Sequence, residues 1–205
     1  MELKLWQVDA FADKPFEGNP AAVVPLGEWL ADDVMQAIAA ENNLSETAFF
    51  VTDKTKGSGH YDLRWFTPTV EVPLCGHATL ASAHVVFTHL APQLSKVSFS
   101  TQSGTLVVDR AENGYLAMAL PAYNPTPHPD GEDFREALEE ALSIDPQEVF
   151  KANYALAVFA SADEILEAES DDLIADVLEE FEEEGIILTA PGGDTGFDFV
   201  SRFFV

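Results

Sequence analysis

The sequence predicts an α+β fold: a strongly curved, mostly antiparallel sheet rolled around one central helix. Three observations predict it. First, the stretch from Gly76 to Leu90 contains no Asp, Glu, Lys or Arg, in a chain of 36 acids and 10 Lys or Arg. A surface helix in a soluble protein shows a polar face, whereas one that is apolar or small nearly all round is buried. Second, the runs on either side of it alternate apolar with polar residues and are punctuated by Gly and Asn, the pattern of short strands and tight turns. Third, Pro121, Pro125, Pro127 and Pro129 interrupt that pattern and mark a domain boundary.

Taken in order, Leu3 to Ala10 reads as a strand. Phe16-Glu17-Gly18-Asn19-Pro20 reads as a turn, because Gly and Asn tolerate positive φ and Pro stops pairing. Ala21 to Val24 is a short strand. Ala31 to Asn42 is a helix: Leu30, Val34 and Ile38 recur every four residues, and Asp32 and Asp33 stand where the helix dipole favours acids. Thr47 to Thr52 and Tyr61 to Thr67 are strands around the turn Lys56-Gly57-Ser58-Gly59. The buried helix of residues 76–90 would run about 22 Å, and its Ala, Ser and Thr residues allow neighbours to approach closely. Val97 to Thr101, Thr105 to Arg110 and Tyr115 to Leu120 continue the strands, with turns at Ser103-Gly104 and Asn113-Gly114. Beyond the prolines come a helix near Phe134–Leu142, a strand near Tyr154–Ala160, an acidic helix near Asp171–Glu184, and strands Ile186–Thr189 and Phe197–Phe204. The acidic run Asp163–Glu184 is a solvated surface helix rather than a partner-binding tail: Leu173, Ile174, Val177, Leu178 and Phe181 share one face, with Ser170 as N-cap.

Charge and cysteine usage bound the function. The net charge is −26. Residues 1–102 hold 12 acids and 6 bases; residues 103–205 hold 24 acids and 4 bases. Nucleic-acid binding, which depends on Lys and Arg against phosphate, is opposed, and so is docking on anionic membranes. Cys75 is the one cysteine, so no intrachain disulfide forms. No export signal and no bilayer-spanning stretch is read, and the expected compartment is the cytoplasm.

Glu46 stands between a helix that stops at Asn42-Asn43 and a strand; on position alone it is an ordinary edge residue. The central helix starts at Gly76, just after Cys75. Free amides at a helix N-terminus form a ready site for a carboxylate or oxyanion. His77 lies in that first turn, where the dipole disfavours an imidazolium. His60, His84, His89 and His128 show no metal-ligand spacing with Cys75 or one another, and no metal is expected. Gly192-Gly193-Asp194-Thr195-Gly196 lacks the Gly-Lys-Ser/Thr ending of a phosphate loop and reads as a turn. Asp9 serves its own strand and turn.

Val8-Asp9-Ala10-Phe11, Gly18-Asn19-Pro20-Ala21, Leu44-Ser45-Glu46-Thr47-Ala48-Phe49, Phe66-Thr67-Pro68, Glu71-Val72 and Cys75-Gly76-His77-Ala78-Thr79 together resemble the PhzF family of phenazine-biosynthesis isomerases and their relatives. The resemblance covers at least residues 1–120. It implies a diaminopimelate epimerase-like fold of two similar domains, residues 1–120 and a partial second one over 121–205, with the active site in the cleft between them. It implies an isomerase without metal or organic cofactor that moves a proton between carbons of a small carboxylate-bearing metabolite. Glu46 matches the family's acid/base. Gly76 and His77 match residues lining the site, Ser45 a neighbouring substrate contact, and Asn19 a loop near the cleft. Cys75 matches the first catalytic cysteine of diaminopimelate epimerase, but two-thiol racemisation needs a cysteine on each face of the carbon. For Cys75, a reactive thiolate at a helix N-terminus and a small packing residue both stay open. Members of the family continue beyond a strand like residues 198–204 with a Glu-Asp-Pro-x-Thr-Gly-Ser-type motif and a second central helix, so the second domain is expected to be incomplete. A homodimer is among the assemblies the resemblance implies. The alternative function is a non-catalytic small-acid binding protein, or an inactive fragment of this fold.

Overall fold

The structure is a computed structural model, and it describes residues 2–14, 16–168 and 171–204. The chain forms two compact units, Met1–Pro121 and Ala122–Val205. In the first unit the elements are β1 (Trp6–Ala10), β2 (Asn19–Leu26), α1 (Asp32–Asn42), β3 (Glu46–Thr52), β4 (His60–Phe66), β5 (Glu71–Val72), α2 (Gly76–Val85), β6 (Lys96–Thr101), β7 (Gly104–Arg110) and β8 (Leu116–Met118). They build an eight-stranded sheet in the order β1-β2-β3-β4-β6-β7-β8, with β5 paired to β4. The pairings β2–β3 and β4–β6 are parallel and the rest antiparallel. The two parallel pairs are joined by crossovers through α1 and α2, as parallel neighbours require.

The period-two pattern of the strands sorts side chains onto two cores. Val23, Ala48, Phe50, Leu63, Trp65, Phe99, Leu106 and Val108 pack with Ala78, Ala81, Ala83 and Val85 of α2. Val24, Phe49, Val51 and Phe66, one position along, pack with Met35 and Ala39 of α1. β3 is therefore covered on both faces, which is why Thr47 to Val51 is buried without a break. Both edge strands, β1 and β8, touch α2, so the sheet curls around it. The expected α+β architecture, a curled sheet on a central helix, is what the structure has. On α2 the buried polar groups are satisfied within the helix: Thr79 donates to the Cys75 carbonyl at 2.5 Å and Ser82 to that of Ala78 at 2.7 Å.

Several expectations need correction. Residues 76–90 are not buried throughout: His84, Thr88, His89 and Leu90 are exposed. The α-helix gives way to a π turn over Val86–Leu90, closed by the Ala91 N–H on the Val86 carbonyl at 2.7 Å. His84 emerges where the edges β1 and β8 do not pair with each other. Asn19 and Pro20 are not turn residues but open β2, opposite Ala10 and Asp9. Pairing with β3 begins only at Ala21, so the missing N–H of Pro20 falls where the strand has one neighbour. On α1 the buried stripe is Met35 and Ala39, while Val34 is exposed. Asp9 acts locally as expected, accepting the Phe16 N–H at 3.1 Å.

The second unit contains β9 (Thr126–Pro127), α3 (Gly131–Leu142), β10 (Glu148–Lys151), β11 (Ala155–Val158), α4 (Ala162–Glu167), α5 (Asp171–Glu180), β12 (Ile186–Pro191) and β13 (Phe199–Phe204). Its five-stranded sheet runs β13-β12-β11-β10-β9. Phe134, Leu138, Ile165, Ile174, Val177 and Leu178 of the helices bury Ala155, Ala157, Ile186 and Leu188 of the sheet. Leu173, expected on the apolar face of the acidic helix, is exposed. The acidic segment contains two helices. α4 starts on Ser161, whose hydroxyl accepts the Glu164 N–H at 3.4 Å, while the Glu164 carboxylate accepts the Ala160 N–H at 3.0 Å. The Ser-x-x-Glu spacing of a capping box is present in the sequence, with the carboxylate reaching the amide one residue before the N-cap. The expected N-cap Ser170 lies outside the described residues. Strands β5, β9 and β10 were not expected; β5 and β9 have two residues each, too few to show a period.

Candidate active site

Three pieces of the first unit meet at one end of the sheet. Parallel pairing sets Ala21 of β2 opposite Glu46, the first residue of β3, so the starts of β2 and β3 lie side by side. The turn into β3 passes through Asn43 in the left-handed region (φ 49°), whose N–H returns to the Ala39 carbonyl at 3.1 Å. Asn42 then donates to the Thr47 hydroxyl at 3.0 Å, fixing the chain on either side of Glu46. Ser45 donates to the Asn19 side-chain oxygen at 3.1 Å, tying the two strand starts together.

The N-terminus of α2 completes the arrangement. Its N-cap is Cys75, with no side-chain cap hydrogen bond. His77 Nε2 lies 3.1 Å from Glu46 Oε2, and the two side chains are 10% and 19% exposed. The separation is that of a hydrogen bond but the alignment is not, and neither atom has a well-directed partner among the described residues. His77 Nδ1 is 3.5 Å from Cys75 Sγ, and one donor atom each of thiol, imidazole and carboxylate lies within 4.8 Å of the other two. Burial, followed by the Glu46 carboxylate, pushes the Cys75 thiol up to about 12, while the amides of Ala78 and His77 pull it the other way. Of the two readings of Cys75, this environment favours a protonated, packed thiol over a resting thiolate.

Gly76 is not a glycine for steric reasons. Its φ lies outside the left-handed region, and a Cβ there would meet only Met118 Cε at 3.8 Å and Leu120 Cδ1 at 3.9 Å, ordinary contacts. Met118 and Leu120 thus flank the helix start, which nothing in their sequence context signalled. Gly18 is a different case: its φ is +76° and a Cβ would fall 2.1 Å from the Ala10 carbonyl oxygen, so glycine is required just before Asn19. The structure brings Glu46, Cys75, Gly76 and His77 together, with Ser45 and Asn19 bonded to each other beside them. Among the described residues, Glu46, Cys75 and His77 are the group whose donor atoms could hold a metal ion.

The family model described as phenazine biosynthesis-like protein, PhzC-PhzF, matches residues 8–205. A Pseudomonas aeruginosa protein named uncharacterized isomerase PA2770 is 47% identical over 212 residues, covering 100% of this chain and 73% of that protein. The human phenazine biosynthesis-like domain-containing protein is 38% identical over 229 residues, covering 100% of this chain and 76% of its own. The crystal structure of a putative PhzC/PhzF protein from Clostridium difficile superposes with a TM-score of 0.83 at 36% identity, over 99% of this chain and 73% of that one. A probable proline racemase from Agrobacterium radiobacter, 8% identical with a TM-score of 0.59 over 98% of this chain and 69% of its own, shares the fold.

Fold and relatives define an isomerase with an epimerase-like architecture. The match over nearly the whole chain makes the assignment specific: the chain belongs to the PhzC/PhzF phenazine biosynthesis-like family. Among the described residues, no helix is long and apolar enough to cross a membrane.

Proposed function

We propose that the chain's isomerase chemistry is a cofactor-independent proton transfer between carbons of a small carboxylate-bearing metabolite, with Glu46 as the acid/base. The observation that carries the reading is the pair Glu46 Oε2 and His77 Nε2: 3.1 Å apart, both largely buried, neither engaged in an aligned hydrogen bond, at the start of a helix without a side-chain cap. The Glu46 carboxylate takes the proton from a carbon next to an electron-withdrawing group. The C–H electron pair moves into the conjugated system, and the negative charge develops on oxygen. The first-turn amides from Gly76 and an imidazole N–H of His77 are the donors for that oxygen and for the substrate carboxylate. The protonated Glu46 then returns its proton to another carbon, and no redox change occurs. Ser45 and Asn19, joined by their own hydrogen bond, are the polar groups set to orient the substrate beside Glu46.

Incubation with carboxylated candidates in deuterated water tests this. The wild type exchanges at carbon, and Glu46→Gln loses about 10²–10⁴-fold, the usual contribution of a positioned general acid/base. Exchange by Glu46→Gln at the wild-type rate overturns the reading.

A further inference from the structure

The geometry points to a binding site for a thiophilic divalent cation of the zinc type at Glu46, Cys75 and His77. One ligand atom from each of these residues lies within 4.8 Å of the other two. Carboxylate oxygen, thiolate sulfur and imidazole nitrogen are the three ligand types that zinc takes, at about 2.0–2.3 Å. In a tetrahedral site such donors stand about 3.3–3.7 Å apart. His77 Nε2 to Glu46 Oε2 is 3.1 Å, already near that scale, while the 3.5 Å from Cys75 Sγ is to the ring's other nitrogen, Nδ1. The ring can give only one nitrogen to the ion, so one side of the triangle must close. The nitrogen without an aligned partner is Nε2, so the ion sits between Nε2 and Glu46 Oε2, and the Cys75 sulfur, part of the same 4.8 Å cluster, is the donor that closes on it.

The independent observation is the state of the donors. His77 is nine-tenths buried and its Nε2 is aimed at Glu46 without an aligned partner, as is Glu46 Oε2. Buried polar atoms left in this condition are costly, and a cation between them removes the cost. On ligation the S–H bond breaks, its proton passes to solvent, and the sulfur gives an electron pair to the ion. Three protein ligands leave a fourth position open, the pattern of an exchangeable zinc rather than a closed structural one. The net charge of −26 raises the local concentration of cations around the chain.

Bound there, the ion takes the carboxylate oxygen that the proton transfer uses, so zinc inhibits exchange and a chelator restores it. That consequence rests on the proposed function; the binding site does not.

Cobalt(II) titration of the purified chain tests the site. Cys75 is the chain's one cysteine, so a near-ultraviolet sulfur-to-cobalt charge-transfer band reports on this position alone. The expected result is a band that saturates at one cobalt per chain, is displaced by zinc and is absent from Cys75→Ser. Glu46→Gln and His77→Gln, checked for native circular dichroism, bind at least tenfold more weakly. Cobalt binding without the band, a band that persists in Cys75→Ser, or wild-type affinity in both other variants overturns the inference. A band in a protein that exchanges no candidate substrate leaves this site standing and counts against the proposed function alone.

Discussion

Gly76→Ala separates the fold's requirements from the site's. At most glycines a methyl group is excluded by a positive φ or by a close neighbour. At Gly76 neither applies, since the added Cβ meets Met118 Cε at 3.8 Å and Leu120 Cδ1 at 3.9 Å. Alanine is favoured over glycine in a helix interior by roughly 0.5–1 kcal/mol, and the first helical position realises part of that. The variant should therefore be neutral or stabilised by up to about 1 kcal/mol, a rise of at most about 4 °C in Tm for a domain of this size. Its effect on exchange should be opposite. A methyl group beside the first-turn amides narrows the approach of a carboxylate, and loss of one such donor costs about 10²–10³-fold; crowding without removal should cost at least about tenfold. Thermal unfolding and deuterium exchange on the same samples give both numbers. Wild-type exchange would remove the Gly76 amide from the site. A loss of more than about 1 kcal/mol in stability would show that glycine serves packing after all.

The second unit holds a buried charge cluster: Glu183 Oε1 meets Lys151 Nζ at 2.5 Å and His128 Nε2 at 3.0 Å, and its side chain is 2% exposed. His128 Nδ1 accepts the Asp130 N–H, so Nε2 is the donor to Glu183. Lys151→Met should cost about 2–3 kcal/mol in urea unfolding, below the roughly 3–5 kcal/mol for a fully buried pair because the lysine is partly exposed, and should cost much less in a Glu183→Gln background; equal losses in both backgrounds would refute the pairing. Cys75 gives a pH dependence. Its thiol ionises at an ordinary 9.0 when unfolded and at about 12 when folded. Between those values the unfolded state binds fewer protons, so stability present below pH 9 falls as pH rises through this window, by up to about 1.4 kcal/mol per unit. Cys75→Ala should lack that component, and parallel profiles would refute it. For an anionic substrate, raising ionic strength from about 0.01 to 0.15 M shortens the screening length from roughly 30 to 8 Å and should raise kcat/KM without changing kcat; a fall in kcat/KM would refute the charge argument.

The buried helix was legible because the absence of charge from residues 76–90 is a statement about burial that holds without a partner being known, although His84 and residues 88–90 are exposed. The strands of the first unit were legible through turns at Gly57, Gly59 and Gly104, where positive φ is required. The misreadings have physical causes. The series Leu30, Val34, Ile38 selects a stripe one residue away from Met35 and Ala39, a rotation of about 100°, and alanine carries no signal of its own in such a pattern. Pro20 reads as part of a turn rather than as the start of a strand because a sequence does not say that one flank of β2 is unpaired there. α4 was absorbed into the acidic run although Ser161 and Glu164 carry its cap. Glu46 and Cys75-Gly76-His77 were found through motifs, but their contacts were not, since these depend on how the starts of β3 and α2 are brought side by side in the folded sheet.

The proposed use of helix amides to hold an anion looks self-defeating in an acidic chain, and distance resolves the difficulty. The carboxylates that make up the net charge of −26 are mostly exposed and spread over the surface, so their field is cut off within about 8 Å at physiological ionic strength. The amides of α2 would act at contact, in a buried corner where screening is weak; the first turn of α2 carries no acid, and among the described residues Glu46 is the carboxylate grouped with Cys75 and His77. Surface charge then governs how often a ligand arrives, and the local dipole governs how well it stays. The same separation makes the two ligands of this corner respond oppositely to salt. On the proposed reading, added salt should speed the arrival of a carboxylate and slow that of a divalent cation, and the cation would take the Glu46 oxygen that the proton transfer needs.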